Sequence, residues 1–181
     1  MAAFGTVFTP EMILSRFSNN GWSQPEIVAT DSISLHPGAH VLHYSSTCFE
    51  GLKAFRHDDG GIYTFRMDRN VARLQQSSQL LSLPEVDGAM LTQMILDILK
   101  RYAADVPNPP GSMYIRPTHI GTEASIGKAA APSLESLLYV LLSPVGDYFA
   151  GGTKPLHLLL EDNARCASHM GMVKSGGNYA S

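Results

Sequence analysis

Between Asp87 and Pro107 the chain carries one strict apolar period. Met90, Leu91, Met94, Ile95, Ile98, Leu99 and Tyr102 fall on a single face of an α-helix. Asp87 is placed to start that helix, and Pro107-Asn108-Pro109-Pro110-Gly111 stops it. A stripe this wide is a core face rather than a cofactor box, so another layer has to cover it. A second helix is expected just upstream, capped by Asp68, with Val71, Leu74, Ser78 and Leu81 on one face and its end at Leu83-Pro84.

Strands supply the covering layer. The first forty residues hold the turn signals Asn19-Asn20-Gly21-Trp22 and His36-Pro37-Gly38 between short strands, and no long helix starts there. Gly61-Ile62-Tyr63-Thr64-Phe65, after Asp58-Asp59-Gly60, reads as the second arm of a hairpin whose turn is Asp59-Gly60-Gly61. Residues 113–120, 136–143 and 155–161 each read as a strand bounded by Gly, Pro and Ser. Strands in succession around two helices predict an α+β fold. The stretch 146–153, with three glycines and two aromatics, predicts an interdomain loop between an N-terminal domain, 1–145, and a second unit starting at 154.

Composition narrows the class of function. A length of 181 residues is one domain plus part of another. Charged residues make up 16%, below the roughly 25% of an ordinary domain, which predicts surface covered by a second subunit. A net charge of −3 provides no basic field for nucleic acid or anionic lipid. Cys48 and Cys166 lie far apart and outside any C-x-x-C spacing, so neither a disulfide framework nor a zinc knuckle is expected. The start, Met-Ala-Ala-Phe-Gly-Thr-Val-Phe, lacks a secretory signal pattern, and no run approaches a membrane span, so the expectation is a cytoplasmic protein.

Two motifs fail on their chemistry. Gly121 to Lys128 resembles a phosphate loop, but its glycines are spaced by one residue too many, and Ala129 stands where a magnesium-holding hydroxyl is needed. His36, His40 and His43 lack a carboxylate and are interrupted by Pro37-Gly38, so no metal site is expected.

The informative segment is Met170-Gly171-Met172-Val173-Lys174-Ser175-Gly176-Gly177-Asn178-Tyr179. One lysine sits among small and apolar neighbours, where desolvation favours a neutral amine, a nucleophile for carbonyls. Gly176 and Gly177 permit close backbone approach to a planar ligand, and Tyr179 is within reach of one if the turn folds back.

This segment resembles the lysine motif of branched-chain aminotransferases, pyridoxal-phosphate enzymes of fold type IV. The match continues in order along the chain. His43-Tyr44, Phe49-Glu50-Gly51, Phe65-Arg66 through Arg73-Leu74, Tyr114-Ile115-Arg116-Pro117 and Pro144 to Gly152 are similar to successive motifs of that family. The resemblance implies a small N-terminal α/β domain followed by the start of the larger domain that holds pyridoxal 5'-phosphate.

It also implies roles. Lys174 would form the Schiff base and carry the proton between Cα and the cofactor. Arg73 would bind the phosphate, with Arg165 a second residue near it, and Tyr179 would hydrogen-bond the phenolic oxygen. Tyr44, Phe49, Tyr114 and Tyr148 match aromatic positions of the side-chain pocket, and Arg116 matches the arginine associated with the dicarboxylate co-substrate. Tyr44 and residues 121–128 look like the segments that reach a neighbouring subunit's site, implying a homodimer. The implied reaction is transamination of leucine, isoleucine and valine with 2-oxoglutarate.

Three features depart from the family's pattern. The connection between Arg165 and Lys174 is short, Lys128 stands where an aliphatic residue is usual, and the chain stops seven residues after Lys174. The last predicts a chain that is the N-terminal half of a larger enzyme. Alternatives are a D-amino acid transaminase or aminodeoxychorismate lyase of the same fold type, or a non-catalytic half serving as an assembly module.

Overall fold

A computed structural model describes residues 4–19, 21–129, 131–146, 155–160, 162 and 168–179. Its centre is a mixed helix-and-sheet arrangement. The strands are β1 (Glu11–Ser18), β2 (Gly21–Trp22), β3 (Glu26–Ala29), β4 (Thr47–Phe49), β5 (Leu52–Arg56), β6 (Ile62–Thr64), β7 (Ser112–Gly121) and β8 (Ser136–Val145). The helices are α1 (His40–Tyr44), α2 (Met67–Leu80) and α3 (Gly88–Arg101). The sheet runs β2-β1-β8-β7-β5-β6, with β3 on β1 and β4 on β7, and all these pairs are antiparallel.

Helix α3 follows its apolar period. Leu91, Met94, Ile95, Ile98 and Leu99 are buried, and the Asp87 carboxylate accepts from the Ala89 amide. The stripe packs with α2 against one sheet face that contributes Ile13, Met113, Ile115, Leu138, Val140 and Leu142. Met12, Leu14, Ile120 and Leu137 form a second core on the other face, with Ile33, Leu35 and Val41 packed on it. Covering both faces explains why β1 reads Met12-Ile13-Leu14, a continuous apolar run instead of an alternating one.

Helix α2 differs from expectation at both ends. Its N-cap is Arg66, in the left-handed region at φ 50°, and Asp68 lies inside the first turn, where it accepts from the Arg66 side chain. A carboxylate there complements the positive end of the helix dipole without capping it. The helix stops at Leu80 because Ser82 turns left-handed and the Leu83 amide reaches back to the Ser78 carbonyl. This six-to-one bond closes the helix before Pro84 can.

Pro117 shapes the sheet next to the site. Phe49 pairs with Thr118, and Leu52 with Ile115, so β4 and β5 lie end to end along the same edge of β7. Pro117 has no N–H to offer between them, and the connection breaks at Glu50-Gly51, where the Glu50 amide still donates to the Pro117 carbonyl.

The third expected strand is corrected. Residues 155–160 form no strand, and Leu156, Leu158, Leu159 and Leu160 are exposed. An apolar run becomes a strand only with a partner ladder, and no neighbour within the described residues provides one. Apart from Gly146, the expected interdomain loop 146–153 lies outside the described residues.

Candidate active site

The Lys174 segment is fastened to the free edge of β4. Ser175 bridges Cys48, and the Phe49 amide donates to the Lys174 carbonyl at 3.1 Å. The Lys174 amide donates to Ser77 Oγ on α2 at 3.1 Å. Val173 and Ser175 are buried on either side. Gly176 is tight against Thr47, whose Cγ2 would lie 2.5 Å from an added Cβ, so the turn after the lysine requires glycine's small size. Backbone and flanking side chains therefore hold the lysine's Cα, while its side chain extends outward.

Lys174 Nζ donates to Tyr179 Oη at 3.0 Å and lies over the rings of Phe49 and Tyr179, 4.7 and 4.8 Å from their centroids. Those two rings contact each other at 5.1 Å. Arg116 stacks on Phe49 at 4.5 Å and donates to Tyr114 Oη at 2.8 Å. A continuous file thus runs Tyr179, Lys174, Phe49, Arg116, Tyr114. Gly51 lets Tyr114 into this file, since an added Cβ would lie 2.1 Å from its hydroxyl.

Beyond Tyr114 and Arg116 opens a cavity of about 280 Å³ that is also lined by Phe4, Phe8, Leu141 and Ser143. Arg116 Nε is buried without a hydrogen-bond partner among the described residues. A buried donor left unmatched is suited to an acceptor supplied from outside the chain.

Arg73 approaches from α2. Its Nε and Nη2 donate to the Glu50 carboxylate at 2.5 and 2.8 Å, and Glu50 keeps the guanidinium more firmly protonated than an ordinary arginine. The Glu50 that holds it directly follows Phe49, whose ring lies under Lys174 Nζ, so the guanidinium belongs to the Lys174 neighbourhood. The Arg73 side chain remains 51% exposed, leaving Nη1 available to an anion. Guanidinium, amine and phenol together are a donor set that fits a phosphorylated aldehyde.

Tyr44 is turned elsewhere: its hydroxyl donates to the Ile126 carbonyl, and its ring lies beside His40. It therefore joins the 121–128 loop, in which Lys128 pairs with Glu123. That loop contains no helix to complete a phosphate site, and among the described residues no three His, Cys, Asp or Glu side chains form a metal group. Tyr148 and Arg165 lie outside the described residues.

No protein-family model matches the chain. It is 42% identical to the cytosolic branched-chain-amino-acid aminotransferase of Ovis aries over 98% of its own length and 47% of that relative. The fold is shared with the branched-chain aminotransferase of Thermoproteus uzoniensis solved with norvaline: TM-score 0.65, 18% identity, 93% of this chain and 52% of that one. It is also shared with the branched-chain amino acid aminotransferase of Thermobaculum terrenum solved in its PLP form: TM-score 0.55, 19% identity, 77% of this chain and 42% of that one. Over nearly its whole length the chain is similar in sequence to branched-chain aminotransferases. It spans about half the length of the relatives it matches, and its architecture is the α+β, fold-type-IV one expected.

Four residues in and around the site were not singled out from sequence. Ser77 and Thr47 carry no signal, being small residues in ordinary surroundings. Asn70 lies one helical turn before Arg73, on the same face. Glu50 had a signal: one charge inside the otherwise uncharged run Thr47-Cys48-Phe49-Glu50-Gly51-Leu52.

Proposed function

We propose that this chain supplies the lysine-bearing part of a cytoplasmic, homodimeric transaminase that exchanges the amino group of branched-chain L-amino acids with 2-oxoglutarate, using pyridoxal 5'-phosphate held at Lys174. The carrying observation is the convergence of Lys174 Nζ, Tyr179 Oη and the Phe49 ring beside Arg73. The relatives' names support the reaction, the Thermobaculum terrenum neighbour is a PLP form in its own structure, and the sheep relative is named cytosolic. In keeping with a non-membrane site, no helix of the described residues is long and apolar enough to cross a bilayer.

Bound pyridoxal phosphate supplies an electron sink that makes a substrate Cα–H acidic. Arg73 would hold the phosphate through its Nη1 and remaining Nη2 N–H donors, as charge-assisted hydrogen bonds allow. Lys174 would hold the cofactor through Nζ and, as a free amine, is the base that would take a proton from substrate Cα and return it nearby. Tyr179 Oη accepts from Lys174 Nζ and holds it in line. Ser77 and the Phe49 amide keep the lysine backbone still through both half-reactions. Arg116, with its unmatched Nε, binds the distal carboxylate of the dicarboxylate partner, and Tyr114 and Phe49 line the side-chain pocket.

Arg165 and Tyr148 are assigned to phosphate and pocket, and Tyr44 with residues 121–128 to the partner subunit's site. We keep residues 1–145 as the N-terminal domain, 146–153 as the interdomain loop and 154–181 as the beginning of the cofactor domain. The test is amino exchange between leucine and 2-oxoglutarate by the protein with its full complement of sequence. Turnover with leucine and none with D-alanine is expected; the reverse would assign a D-amino acid transaminase.

A further inference from the structure

Glu50 is the least expected side chain near the site: a carboxylate only 1% exposed at the break between β4 and β5. Burying an ionised carboxylate is costly, and covering this point alone would be done better by an apolar side chain. Four donors converge on it instead. Arg73 Nε and Nη2 approach at 2.5 and 2.8 Å, Asn70 Nδ2 at 2.8 Å and the Gly51 amide at 3.2 Å. Asn70 Nδ2 also lies 3.4 Å from the Gly51 carbonyl.

The geometry of the pair is directional. Glu50 takes the side-on edge of the guanidinium, two of its five N–H donors. That fixes the plane of a side chain that is otherwise half in solvent and rich in rotamers. The three remaining N–H groups, on Nη1 and Nη2, are thereby fixed in direction as one end-on fork. The Glu50 backbone is itself tied to Pro117, and the next residue back, Phe49, lies under Lys174 Nζ. One short connection thus sets both the lysine's aromatic floor and the arginine's orientation.

We propose that Glu50 is a positioning residue that orients Arg73 toward the phosphate of the bound cofactor, with Asn70 holding the carboxylate in place. This rests on the assignment of Arg73 to phosphate made above. Glu50 does not touch the phosphate; it acts through Arg73, and its contribution is confined to ligands that carry a phosphate.

The test compares pyridoxal 5'-phosphate with pyridoxal, which lacks the phosphate, in equilibrium binding to the full protein. The expected result for Glu50→Gln is a selective loss of pyridoxal-phosphate affinity of roughly 10- to 100-fold, the range for removing a partner that orients a ligand-holding side chain, with pyridoxal affinity unchanged. Adding Glu50→Gln to Arg73→Ala is expected to cause no further loss. Asn70→Ala, a milder change that retains both charges, is expected to move the same ratio in the same direction and serves if Glu50→Gln does not fold. Equal losses for both ligands, or no loss for either, would overturn the proposal. A wild-type protein that binds the two ligands equally would overturn the phosphate assignment itself, an outcome distinguishable because it is seen before any substitution at Glu50.

Discussion

Phe49 meets Lys174 twice. Its amide donates to the lysine's carbonyl at 3.1 Å, and its ring lies 4.7 Å below the lysine's Nζ. Backbone and side chain of the same strand residue therefore fix both ends of the lysine. The segment bearing it is held as an extra strip on β4 rather than as a free tail.

Ser77 completes that attachment from the helix side, accepting from the Lys174 amide while itself almost wholly buried. Ser77→Ala leaves that amide without its acceptor, a change that costs roughly 1 to 3 kcal/mol where the group cannot reach water. Amide exchange at Lys174 is expected to accelerate, with the α3 core amides unaffected. Unchanged protection at Lys174 would show that Phe49 alone holds the segment.

Gly51 is predicted to be intolerant of a side chain because Tyr114 Oη occupies the space a Cβ would need. Gly51→Ala displaces Tyr114 from Arg116, lowering Tm and closing the cavity beside them. Tyr114→Phe in the same chain removes the nearest clashing atom and is expected to restore part of the lost Tm, measured by calorimetry.

His119 is fully buried, bonded through its two ring nitrogens to Ser78 and Ser136, and burial pushes its pKa down from 6.5 to about 3. The unfolded chain takes up this proton below about 6.5 and the folded chain does not until about 3. Through that window the unfolded state binds more protons, so stability falls as pH falls, by up to about 1.4 kcal/mol per pH unit. His119→Gln is expected to be less stable at pH 7 but to lose this component of the acid slope in denaturant titrations. An NMR signal for His119 that titrates near 6.5 would contradict the assignment.

Cys48 lies in the same buried network, beside Ser78, and burial pushes its thiol up to about 11. The thiolate is the reactive form. Alkylation at pH 8 is expected to spare Cys48 in the native protein and to modify it fully in denaturant, as read by peptide mass mapping.

Several of these features could be read from the residues alone, and the reasons are local. Helix α3 was readable because its stripe and its Asp87 cap agree, and β7 and β8 because their apolar runs are bounded by Gly, Pro and Ser. The ends of α2 were not, since left-handed Arg66 and Ser82 have no compositional signature comparable to glycine. Residues 155–160 look like a strand by side chain, yet a strand is a relationship with a neighbour and none of the described residues pairs with them. Lys174 and Tyr179 stood out in the residues themselves, Phe49 and Arg73 through resemblance, and the structure places Lys174, Tyr179 and Phe49 in contact. Glu50 escaped because charged residues are ordinarily exposed, and only the packing of α2 on the β4–β5 break reveals it buried.

The most direct test of the account is to add pyridoxal 5'-phosphate to the full protein, reduce with borohydride and map the modified lysine by mass spectrometry. The account predicts a pyridoxyl group on Lys174, absent from Lys174→Ala. Labelling spread over Lys53, Lys100 and Lys128, or labelling undiminished in the variant, would contradict it.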